Sequence, residues 1–230
     1  MLDYLTLRAQ LMPIHGVFGL LAIVAGVAAL AVPKAAPLHP RAGRGFLICM
    51  AIALVIAVPV IIAGRNLFLT GVGLLVIYHA LTAWRLARLR PPARLPTPLD
   101  RNIHIASAIV FVIFALYGVV VLFAGAMMGV VAIVLAGISL ASVHHFSRFM
   151  SQAEFEPGEW IGEHIRGMAA AFIASITAFA TAAMPRWAPA IPEAVLWLAP
   201  SVILTPLFVW FGNRVQQDRA RAKQAAAEAG

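Results

Sequence analysis

Long apolar runs separated by short polar breaks organise this chain. Seven stand out: Pro13–Val32, Gly45–Gly64, Leu67–Trp84, Ile103–Phe123, Met127–Val143, Ile165–Met184 and Ala194–Phe211. Apart from Arg166 at the head of the sixth, none contains Asp, Glu, Lys or Arg. Each matches the ~20 apolar residues needed to cross a bilayer core. The runs are continuous rather than alternating, so they predict helices and not barrel strands. The expected fold class is all-α: a polytopic, seven-helix transmembrane bundle over residues 1–213, followed by a polar tail over 214–230 that continues the last helix and then frays. The first run is expected to stay in the mature protein, because Lys34 follows it rather than a small-residue cleavage site.

The polar breaks are unequal. On one side they are Arg65-Asn66, Ala124-Gly125-Ala126 and Pro185–Glu193. On the other they are Pro33–Arg44, Arg85–Asn102, His144–His164 and the tail. Of the 17 Lys and Arg residues, all but Arg8, Arg65 and Arg186 fall on the long-loop side, among them Arg90 and Arg94. By the positive-inside rule the N-terminus lies outside and the C-terminus in the cytoplasm.

Composition sharpens the class. Apolar residues make up 62% of the chain and charged ones 11%, with a net charge of +8. A soluble domain carries about a quarter charged residues, so an ordinary soluble enzyme, a disordered chain and a nucleic-acid-binding module are excluded. The positive charge is read as setting topology and meeting anionic lipid headgroups. Cys49 is the only cysteine, so no internal disulfide forms. The spans hold no carboxylate, which argues against a carboxylate-coupled ion pump. Their mild polar groups, including Ser139, Ser142, Ser175, Thr177 and Thr181, are expected to hydrogen-bond neighbouring helices. Gly16, Gly19, Gly26, Gly71 and Gly73 are expected to let helices approach closely.

Seven histidines carry the candidate chemistry; most are expected to cap helices or meet lipid headgroups, while some build a haem or metal site or sense pH. His15 opens the first span on the outer side; the other six fall on the cytoplasmic side. Two bis-histidine haems need ligands in both leaflets and do not fit, whereas one cytoplasmic-side haem b does, with His79 and His144 as its axial pair. A divalent metal is the second candidate, held by His39, His104, His144 and His164 with carboxylates from Glu154, Glu156, Glu159 and Glu163. An anionic ligand is the third, at Arg41 and Arg44 beside Gly43–Gly45, where backbone N–H groups open a helix. A transporter working through the proline-kinked seventh helix, a metal-dependent hydrolase and a non-catalytic accessory subunit stay open, as do a homo-oligomer and a larger membrane complex.

Three stretches carry a resemblance. His15-Gly16-Val17-Phe18-Gly19 leads to Gly26–Leu30, Pro33-Lys34 and His39-Pro40-Arg41-Ala42-Gly43-Arg44-Gly45-Phe46. Later come His164…Met168, Ala171–Ala174 and Thr177-Ala178-Phe179, then Trp197…Pro200…Thr205-Pro206. Together they resemble an uncharacterised bacterial membrane family catalogued as domain of unknown function 2306. The resemblance covers both ends of the membrane region and implies a multi-span bacterial inner-membrane protein without an established activity. If that family shares a site, the matching positions are His15, His39, Arg41, Arg44 and His164.

Overall fold

The structure, a computed structural model, describes residues 4–89, 96–152 and 158–228. Among them the chain forms seven helices: α1 (Tyr4–Ala31), α2 (Leu38–Ala63), α3 (Leu67–Leu89), α4 (Pro98–Phe123), α5 (Met128–Met150), α6 (Trp160–Trp187) and α7 (Glu193–Glu228). All seven are long and apolar enough to cross a membrane. The expected elements are therefore present, in order, in an all-helical chain. Arg90, Arg94, Glu154 and Glu156 lie outside the described residues.

Most helices outrun their apolar runs, and local chemistry sets the ends. Asn66 caps α3, its Oδ1 accepting from Leu69 N at 2.9 Å. Thr97 and Asp100 form a reciprocal capping box that starts α4 at Pro98, ahead of the apolar run. At the other end of α1, Lys34 Nζ donates to the carbonyls of Ala29 and Leu30, each at 2.8 Å, closing carbonyls the helix cannot satisfy. The α2–α3 turn is tight enough to hold Arg65 at φ 49°.

Each helix runs opposite to its chain neighbour. Tyr4 meets Gly64, His15 bonds Ala53 and His39 bonds Ala29, so one antiparallel register links α1 to α2 from end to end. Arg85 to Asp100 and Gly71 to Phe114 do the same for α3 and α4. The α1–α2, α3–α4 and α5–α6 connections and the end of α7 thus share one end of the bundle, called the loop-rich end below.

Helix α3 is the axis of the fold. It packs against α6 and α4 and touches α2 and α5. Its inward residues join the main core with Phe46 of α2, Phe111 of α4 and Ala171 of α6. A second cluster sits toward the opposite end, where Phe68, Phe114 and Trp197 stack around Val131, Ala132 and Ala136. Small residues set the tightest crossings. A Cβ on Gly129 would lie 2.5 Å from Gly118 O, so α4 and α5 touch backbone to backbone there. Gly26 and Gly71 face aromatic rings, as expected of a close approach, but Gly16 and Gly19 meet nothing within 4 Å. Outward positions such as Val55, Ile62, Val120, Val202 and Ile203 are large, apolar and exposed on several helices. That surface suits hydrocarbon and not water. Near the loop-rich end Arg88 lies over Trp84 and Arg214 over Trp210, ring and guanidinium 5.6 and 5.5 Å apart, marking the headgroup level.

Candidate functional site

A cleft of about 460 Å³ lies between α3, α5, α6 and α7. Its wall is mainly apolar, with Leu135, Ile173, Trp197 and Phe208 among the lining residues. Ligand sites fall in the range of about 300–1,000 Å³ and are lined mostly by apolar groups with a few polar ones. The polar groups here include His79 on α3, Ser139 and Ser142 on α5, Thr177 on α6, and Ser201, Thr205 and Asn213 on α7. Ser139 and Ser142 already donate to their own helix, to Leu135 O at 2.9 Å and Ile138 O at 3.0 Å.

At the loop-rich end the cleft meets a wide polar vestibule of about 1190 Å³, and His145, Arg166 and Gln216 line both spaces. Glu163 organises the junction. Its Oε1 accepts from Arg166 Nη1 at 2.9 Å and lies 2.9 Å from His145 Nε2, tying α6 to α5. Arg148 and Arg219 add cationic groups to the vestibule, against Glu159 and Glu163. The result is an apolar chamber with a guanidinium-rich mouth.

The histidines do not gather as the sequence suggests. Among the described residues no group of three or more His, Cys, Asp or Glu stands close enough to hold a metal. The set His39, His104, His144 and His164 is therefore not supported as a metal site, and three of its imidazoles bond backbone carbonyls instead. His39 Nδ1 donates to Ala29 O of α1 and His164 Nδ1 to Ala83 O of α3, both at 2.9 Å. His104 is buried, stacks on Phe146 at 4.4 Å and donates Nδ1–H to Asp100 O at 2.6 Å. His144 is exposed.

The haem pair is not supported by the lining of the cleft. His79 is buried and lines the cleft, but His144 does not; its neighbour His145 does. Successive helical residues are about 100° apart, and Val143 and Phe146 take the inward face of α5. The anion site also changes. Helix α2 begins at Leu38, so Arg41, Gly43, Arg44 and Gly45 lie inside it, where the helix itself uses the backbone N–H groups. Arg44 Nε donates back to Pro40 O at 3.2 Å, and both arginines are exposed. His15 is displaced as well. Because α1 starts at Tyr4, His15 lies well inside the helix, its Nδ1 donating to Ala53 O at 2.9 Å.

Sequence reasoning missed a second polar region. Tyr78, Thr82 and Arg85 form one stripe of α3, spaced four and three residues apart, and from it Arg85 and Tyr78 meet Thr97, Asp100 and His104 at the start of α4. Arg85 Nε donates to Asp100 Oδ1 at 2.6 Å and Arg85 Nη2 to Thr97 Oγ1 at 3.2 Å. Farther in, the Tyr78 and His104 rings meet at 5.6 Å, and Tyr78 then abuts Phe111. The helical spacing of these polar residues was the available signal.

Comparison with family models, with curated proteins and with solved structures finds no match for this chain.

Proposed function

We propose that this integral membrane protein holds an amphiphile in the cleft between α5, α6 and α7, its apolar tail in the chamber and an anionic, phosphate-type head at the mouth. The carrying observation is the junction of the two spaces: an apolar wall leads directly to Arg148, Arg166 and Arg219 beside His145. Guanidinium groups suit phosphate oxygens in geometry and charge. The anionic ligand expected from the sequence is kept, moved from Arg41 and Arg44 to this mouth. The reading includes a bacterial inner membrane with the loop-rich end in the cytoplasm, supported by the distribution of Lys and Arg and by the resemblance to the domain of unknown function 2306 family.

Native mass spectrometry of the protein released from bacterial membranes in mild detergent tests it. The expected result is one retained anionic amphiphile, lost in Ala170→Trp, which fills the chamber, and weakened in Arg148→Glu. Protein that carries no amphiphile, or that retains it equally in Ala170→Trp, overturns the proposal.

A further inference from the structure

The α3–α4 seam holds three buried polar atoms without a partner: Tyr78 Oη, Thr82 Oγ1 and His104 Nε2. Their residues are 3%, 9% and 7% exposed. Buried polar groups are ordinarily hydrogen-bonded, so three together on one seam point to a ligand. Thr82 departs from the habit of this chain. Thr70, Ser139, Ser142, Ser175 and Thr177 each donate to the carbonyl four residues back in their own helix or its cap. The Thr82 hydroxyl does not, which leaves it free for something in the seam.

The chemistry defines the occupant. His104 spends Nδ1–H on Asp100 O, so its Nε2 carries a lone pair and needs a donor. The Tyr78 and Thr82 hydroxyls are free to donate and need an acceptor. A small group that can donate to one neighbour and accept from two others is water. A cation is a poor match, because the two hydroxyls are neutral and, among the described residues, no group of three or more His, Cys, Asp or Glu stands close enough to hold a metal.

We infer that Tyr78, Thr82 and His104 bind ordered water, and that the α3–α4 seam is a hydrated polar inlet from the loop-rich end. Arg85, Thr97 and Asp100 form its outer section, where Asp100 is itself buried. Phe111 and Phe114, at 0% and 4% exposure, close its inner end. The inlet stops within the bundle and carries water to His104 without crossing the membrane.

Radiolytic hydroxyl-radical labelling of the full-length protein in detergent reads the site, because radicals born from bound water modify the side chains beside it. Tyr78 is expected to label several-fold faster than the equally buried Phe111. Tyr78→Phe and Thr82→Val are each expected to lower Tm by about 2–4 °C, because each strips one partner from the water and leaves the others short. A Tyr78 labelling rate no higher than that of Phe111, or a Tm raised in both variants, overturns the inference, since dry unpaired hydroxyls are stabilised by removal.

Discussion

Asp100→Asn is the sharpest test of how the loop-rich end is held together. Asp100 Oδ1 receives Arg85 Nε at 2.6 Å, and the two side chains are only 6% and 15% exposed. Its other oxygen accepts from Thr97 N at 2.8 Å and from the Thr97 hydroxyl, so one carboxylate joins α3 to α4 and caps α4. Removing one partner of a buried pair costs about 3–5 kcal/mol, chiefly through the charge left behind. Arg85 keeps a small exposed fraction and a second bond to Thr97, which favours the lower end, about 3 kcal/mol. In a chain of this length each kcal/mol moves Tm by about 2–4 °C, so a drop of about 6–12 °C is expected. Arg85→Met should cost less, because Asp100 then retains its bonds to Thr97. The double variant Arg85→Met with Asp100→Asn should recover part of the loss, since neither charge remains buried. Thermal unfolding in detergent, followed by intrinsic fluorescence, gives the four values of the cycle. An Asp100→Asn Tm within about 2 °C of the native protein, or a double variant showing the plain sum of two losses, refutes the argument.

Two further outcomes are expected. Gly129→Ala places a methyl 2.5 Å from Gly118 O and closer still to Leu122 N, so α4 and α5 must part by about 1 Å to restore ordinary contact, at about 1–3 kcal/mol. Gly137→Ala on the same helix meets nothing within 4 Å and should stabilise it by up to about 1 kcal/mol; equal Tm shifts in the two variants would contradict the close crossing. In a Cys49→Ala background, an impermeant maleimide added outside intact cells should label Asn66→Cys and spare Ser151→Cys. Labelling of the second alone reverses the proposed orientation, and equal labelling removes the alternation of the helices.

The number and order of the helices were legible because a bilayer imposes one length on every apolar run. Their ends were not, because polar residues extend several helices past the apolar part. Pro40 reads as a loop signal beside Arg41 and Gly43, yet it sits in the first turn of α2, where a missing N–H costs nothing. Which histidine lines the cleft was equally hidden. His144 and His145 are adjacent, and the choice between them follows from the side of α5 that meets its neighbours. The hydroxyls went the other way from expectation: Ser139, Ser142, Ser175 and Thr177 bond their own helices, since a carbonyl four residues back is always within reach. Thr181 likewise bonds Ala178 O of its own helix. The buried guanidinium–carboxylate pair was obscured because Arg85 and Asp100 both read as parts of one long loop.

The two polar regions meet at consecutive residues of α3. Tyr78 turns toward α4 and the seam, and His79 turns toward the cleft. A step of about 100° between neighbours on a helix separates them, so the rotation of α3 about its own axis sets the contents of both spaces. Two contacts with α6 fix that rotation. His164 donates to Ala83 O at 2.9 Å, and Gly167 lies so close that a Cβ there would come within 2.8 Å of Ala83 Cβ and 3.0 Å of His79 O. His164 thus acts from outside both spaces as a positioning residue. Its imidazole holds the helix that presents Tyr78 to one and His79 to the other, which gives a sequence-prominent histidine a role that needs no bound metal.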